Sequence, residues 1–165
     1  MSIHNRAGAA RPAVRGAGVQ PIRIVRQREI ASSADRIFAL LAEPSNLARL
    51  LPNVRSVELL DQTAEHARVI TTMSLGPLAG FRVEGTVHWQ PGREIVFRAR
   101  APLAVESRWL LIPVGSGTRV EVTLVLDLAS VIGPLAAFVP ADKVIAVIAP
   151  DMDATLAKIA AEVTA

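Results

Sequence analysis

Six runs of alternating character follow one another between residues 54 and 129, joined by connections too short for anything but antiparallel hairpins. The runs are VRSVELLDQ, HARVITTMSL, FRVEGTVHWQ, REIVFRARA, VESRWLLIPV and TRVEVTLVLDLA; between them stand TAE, GPLAG, PG, PL and GSG. A parallel crossover needs a dozen or more residues, so each neighbouring pair of strands must run antiparallel. Two runs declare their faces. Arg82, Glu84, Thr86 and His88 oppose Phe81, Val83, Gly85, Val87 and Trp89. Arg119, Glu121, Thr123 and Asp127 oppose Val120, Val122, Leu124, Leu126 and Leu128. Such alternation predicts a sheet with one wet face and one apolar face that another layer must cover.

The covering layer is expected at the end of the chain. Val144, Ile145, Ile148, Met152, Leu156, Ile159 and Val163 fall on one stripe at helical spacing, which predicts a long C-terminal helix with an irregular start. The region 128–150 is apolar enough to suggest a membrane span. Pro134, Pro140 and Pro150 interrupt it and Asp142 and Lys143 sit inside it, so the roughly 20 uninterrupted apolar residues of a span never occur. Ahead of the meander, PIRIVRQREI (21–30) predicts a further strand. SSADRIFALLAEP then predicts a short helix, with Ser32 and Asp35 in a capping-box-like start and Pro44 as its stop. The stretch SNLARLL, closed by Pro52, predicts a second short helix. The expected fold is α+β: a bent seven-stranded antiparallel sheet wrapped around a long C-terminal helix, with two short helices between strands 1 and 2.

Composition narrows the function. Of 165 residues, 51% are hydrophobic but only 4% aromatic, so the interior is aliphatic. Cysteine is absent, which removes disulfides, thiolate metal sites and a cysteine nucleophile. Six of the eighteen basic residues precede Glu29, where there is no acid; the rest of the chain holds twelve bases against fifteen acids, a net of −3. Residues 1–21 read as a disordered basic tail and 22–165 as one domain. Without a basic folded face, no nucleic-acid partner is expected. His4, His66 and His88 are dispersed, the few serines sit at caps and turns, and the glycines are isolated, so neither a metal, a cofactor nor a catalytic dyad is expected.

These residues carry a resemblance. IASSADRIFALLAEP, LLPNVRSVELL, GSGTRVEV and GPLAAF resemble the START-like (SRPBCC, polyketide cyclase/dehydrase-like) superfamily with its helix-grip fold. LLPNV and GPLAG-F look most like its carbon monoxide dehydrogenase G-subunit branch. The resemblance spans about residues 22–163 and rests on structural turns, which identify fold better than activity. It implies a cavity between sheet and helix that holds a hydrophobic molecule such as a lipid, a quinone or a polyketide-like compound. It also suggests a cytoplasmic protein that visits a membrane surface or serves a redox enzyme. A cyclase or dehydratase acting in the same cavity, and an interaction domain without ligand, are the alternatives. The inner faces offer almost no acid or base, so binding is expected over catalysis. Oligomeric state stays open.

Alternation lists the wall such a cavity would have. Val69, Thr71 and Met73 share one parity; Phe81, Val83, Val87 and Trp89 follow, then Ile95 and Phe97, Trp109 and Leu111, and Val122, Leu124 and Leu126. The helices add Phe38, Leu41, Leu47, Leu51, Ile145, Ile148 and Met152, and Leu47, Leu50 and Leu51 are expected to face the cavity or its mouth as a gate. Arg26 and Arg28 share parity with Ile24 and Ile30. An inward Arg28 would bind a ligand headgroup; the other register turns Val25 inward and both arginines to solvent. Ser107 and Thr71 are weaker polar contacts.

Overall fold

In the computed structural model, residues 19–75 and 78–165 are described, without the side chains of 75–79. Most of the expected tail, and two residues of the GPLAG turn, therefore lie outside the described residues.

Seven strands form one antiparallel sheet: β1 (Ile22–Ile30), β2 (Val54–Gln62), β3 (His66–Leu75), β4 (Leu78–Gln90), β5 (Glu94–Ala99), β6 (Ala104–Val114) and β7 (Gly117–Asp127). Their order is β1-β7-β6-β5-β4-β3-β2. The hairpins run as the short connections require, and β1 closes against β7 with Ile22 opposite Leu126 and Ile30 opposite Thr118. Gly92, with φ +69°, turns β4 into β5, and a Cβ there would meet the Asp35 carboxylate at 2.5 Å. Glycine is needed at this turn for both reasons.

Helices α1 (Ala34–Ala42) and α2 (Pro44–Leu50) connect β1 to β2. The cap of α1 is one residue later than the sequence suggests: Ser33 Oγ accepts from Arg36 N at 3.2 Å. The Ser32 carbonyl is taken instead by the Thr118 hydroxyl at 2.8 Å. Pro44 does more than stop α1. It is the first residue of α2, where a missing N–H costs nothing, and Glu43 caps it.

The C-terminal segment resolves into α3 (Ala129–Ile132), a 3-10 turn (Gly133–Phe138) and α4 (Ala141–Thr164). Pro150 lies inside α4 and does not end it. The carbonyl it leaves without an amide partner belongs to Ala146, an exposed residue that water can serve. Ile148, Met152, Thr155, Leu156, Ile159 and Val163 are buried, much as the apolar stripe predicts. The apolar members of this set share one core cluster with Ile22, Ile24, Ile37, Leu50, Val83 and Leu111.

On the outer face, Arg68 pairs with Asp61 at 2.7 Å and Arg98 with Glu106 at 2.7 Å. This face is wet as expected, apart from Val96 and Thr123, which are buried in register on either side of Arg108. The backbone of α4 approaches β1, α1 and α2 and stands off from the middle strands. That gap makes the site.

Candidate functional site

Between the middle strands and α4 lies a cavity of about 340 Å³. Its floor comes from alternate residues of the sheet: Val69, Thr71 and Met73 of β3, Val87 and Trp89 of β4, Ile95 and Phe97 of β5, Trp109 of β6, and Val122, Leu124 and Leu126 of β7. Phe38 and Leu41 of α1, Leu47 of α2, Leu51 just after it, and Met152 of α4 close the remaining sides. All of these are residues that parity or helical spacing nominates. Leu47 and Leu51 reach the wall, whereas Leu50 beside them is fully buried in the core. Arg49 points outward and pairs with Glu162 of α4.

Phe81, Val83, Leu111, Ile145, Ile148 and Arg28 do not line the cavity. Val83, Leu111 and Ile148 are buried in the packed core, with Phe81 and Ile145 against it. Their parity is right, but parity says which face a residue takes and not how far along the strand the hollow extends. The same holds for the N-terminal half of α4, whose Ile145 and Ile148 pack against the core while Met152 reaches the hollow.

The arginines follow a third course. Ile22, Ile24 and Ile30 are buried and Val25 is 42% exposed, so Arg26 and Arg28 do take the inward parity. The inward face of edge strand β1, however, meets α4. Arg26 Nε and Nη2 donate to the two carboxylate oxygens of Asp153 at 2.7 and 2.5 Å. This pair, chiefly through its hydrogen bond, holds the Asp153 carboxyl below its usual range, against an opposing effect of burial. Arg28 is exposed, in register with the fully buried Val120 and away from the cavity. Asp151 and Asp153 follow Pro150 in mid-helix and have separate roles. Asp153 holds Arg26, and Asp151 reaches the cavity wall.

Sequence reasoning missed the β2 side: Asn53, Val54, Val57, Leu59 and Gln62, with Ala42, Pro44 and Pro52 nearby, and Ala67, Val105 and Thr155 elsewhere on the wall. Val57 and Leu59 alternate with Glu58, so the signal was present. The register shift between Leu59 and Asp61 breaks the alternation after that point.

The wall is overwhelmingly aliphatic and aromatic. Its polar groups are few: Asn53, Gln62, Thr71, Ser107, Asp151 and Thr155. Trp109 Nε1 donates to Ser107 Oγ at 3.0 Å, and the Thr155 hydroxyl donates to the Asp151 carbonyl at 2.9 Å. Among the described residues no group of three His, Asp or Glu side chains could hold a metal ion. His66 and His88 stack on the outer face with ring centroids 5.6 Å apart. No acid–base pair among the described residues converges on the cavity, whereas a space of this size and lining suits an apolar guest.

Solved structures with the same architecture include three informative neighbours. The di-domain aromatase/cyclase BexL from the BE-7585A biosynthetic pathway is 18% identical, with a TM-score of 0.68 over 90% of this chain and 52% of that one. The Zhui aromatase/cyclase from Streptomyces sp. R1128 is 20% identical, with a TM-score of 0.64 over 86% and 93%. A START superfamily protein from Mycobacterium smegmatis is 16% identical, with a TM-score of 0.67 over 86% and 97%. This chain spans about half the length of the di-domain proteins, BexL and StfQ alike. At such identities the likeness is one of fold. No curated protein sequence matches. The family described as "Polyketide cyclase / dehydrase and lipid transport" matches residues 21–164, and does not single out the carbon monoxide dehydrogenase branch. With nearly the whole folded chain covered, the protein belongs to this polyketide cyclase/dehydrase and lipid transport family.

Proposed function

We propose that this protein takes up a hydrophobic small molecule in the cavity between sheet and α4, and carries or presents it. The observation that supports this most is the wall itself: about 340 Å³ bounded by aliphatic and aromatic side chains, with one carboxylate and no Arg, Lys or His among the described lining residues. An apolar hollow of that size holds water poorly and gains by admitting an apolar guest of lipid, quinone or polyketide type. Membrane contact is an extension of the same reading. Leu135 and Phe138 of the 3-10 turn are 64% and 83% exposed, and no helix among the described residues is long and apolar enough to cross a bilayer.

A second reading, a cyclase or dehydratase in the same cavity, is favoured by the family and by Asp151 at the wall. Native mass spectrometry of gently purified protein tests both. A co-purifying lipophilic mass that stays unchanged on incubation fits carriage, and one that loses water or rearranges fits catalysis. Repeated absence of such a mass, together with no saturable uptake of a hydrophobic probe, would leave a protein that acts through its surface. Leu51→Asp places a charge on the cavity wall, where desolvation opposes an apolar guest. It should weaken probe uptake at least about tenfold while moving the melting temperature by only a few degrees. The reverse pattern would make the segment plain core.

A further inference from the structure

The cavity carries information about the charge of its guest. Ser107 stands on the floor in register with Phe97 on one side and Leu124 on the other, both of them wall residues. Its oxygen already accepts from Trp109 Nε1 at 3.0 Å. That contact occupies a lone pair and fixes the oxygen, leaving the hydroxyl hydrogen available to an acceptor. In apolar surroundings an unused donor is costly, and a hydrogen bond made there is stronger than in water. The floor therefore offers an oriented donor at Ser107 amid mainly apolar contacts, with Thr71 as its other hydroxyl.

The same wall is hostile to anions. It has no cationic side chain among the described residues, and its one ionisable group is Asp151. Arg26, whose parity points it at the helix, is held by both carboxylate oxygens of Asp153. A carboxylate or phosphate entering the cavity would lose its hydration with no counter-ion to replace it, and would meet a like charge.

We propose that the site selects uncharged apolar molecules bearing a carbonyl oxygen, that Ser107, set by Trp109, donates to that oxygen, and that fatty acids and other anionic lipids are rejected. This rests on the cavity being a ligand site, as proposed above. It would separate neutral carbonyl compounds from acidic lipids.

Three probes with one skeleton test it on the full chain by titration calorimetry at neutral pH: 2-acetylnaphthalene, 2-ethylnaphthalene and 2-naphthoate. The acetyl compound should bind about fivefold more tightly than the ethyl compound, the scale of one net hydrogen bond. The naphthoate should bind at least about tenfold more weakly than the acetyl compound, given the cost of desolvating a charge. Ser107→Ala should bring the acetyl-to-ethyl affinity ratio to about one, and Ser107→Thr should restore the preference. Naphthoate binding as tightly as the acetyl compound overturns the charge selection, and this comparison needs no variant. A ratio that survives Ser107→Ala overturns the role of Ser107. If the folded protein takes up none of the three, the cavity reading itself falls and this inference falls with it. If 2-ethylnaphthalene binds but acetyl confers no advantage, only the inference fails.

Discussion

The residue that most directly shapes the cavity is a glycine. Gly85 lies on the inner face of β4, and a Cβ there would run into the Phe97 ring and come within 2.8 Å of the Arg98 carbonyl oxygen. The missing side chain lets the ring lie down on the sheet instead of standing up into the hollow. Gly85→Ala should therefore cost about 1–3 kcal/mol, the usual penalty for overpacking. Chemical denaturation checks this, and an unchanged midpoint would mean that ring and strand yield without strain. At this scale the sequence is readable in part. Alternation identifies Trp109 as inward and Leu110 as not, because Arg108 fixes the parity. It could not foresee that Trp109 spends its N–H on Ser107, which depends on two rotamers on one strand. Nor could it foresee that Arg26 reaches a carboxylate 127 residues away.

Among the elements, α4 is embedded along one apolar stripe and clasped at two exposed points. Arg26 ties it to β1 through Asp153, and Arg49 ties it to α2 through Glu162. Both clasps are exposed, so each is individually modest and weakened by salt. The Asp153 carboxyl is held below its usual range by Arg26, and an unfolded Asp titrates near about 4. The stabilisation is thus complete above that value and is lost as pH falls through the lower folded value. Asp153→Asn should make the drop in melting temperature between pH 6 and pH 3 smaller than in the unaltered protein; an equal drop would mean that the pair contributes nothing to acid stability. The elements themselves were largely legible: the hairpins from turn chemistry, α4 from its stripe. Pro150 is tolerated within that stripe because its orphaned carbonyl can face water, which depends on which side of α4 the core lies.

At the scale of the whole molecule, an open sheet gripped at its edge by one helix leaves a hollow that no single stretch of sequence announces. Periodicity reports faces; the depth of a cavity depends on how far α4 stands from β3 to β6. The exposed Leu135 and Phe138 of the 3-10 turn are the residues on which the proposed membrane contact rests. Phe138→Asp should reduce co-flotation with anionic phospholipid vesicles several-fold without changing probe uptake in solution. Equal flotation would remove that surface from the proposal. The strand order carries one more consequence. Strands β2 to β7 can assemble hairpin by hairpin, but β1 must wait for β7, a partner some hundred residues later in the chain. During synthesis the first strand to leave the ribosome is therefore the last to be paired, and it stays an unsatisfied edge while the meander forms. Pulse-labelled hydrogen exchange should find the β1 amides protected after those of β4 to β6. Until that late step α4 lacks the strand it docks on, so a guest can be enclosed as folding finishes as well as admitted afterwards.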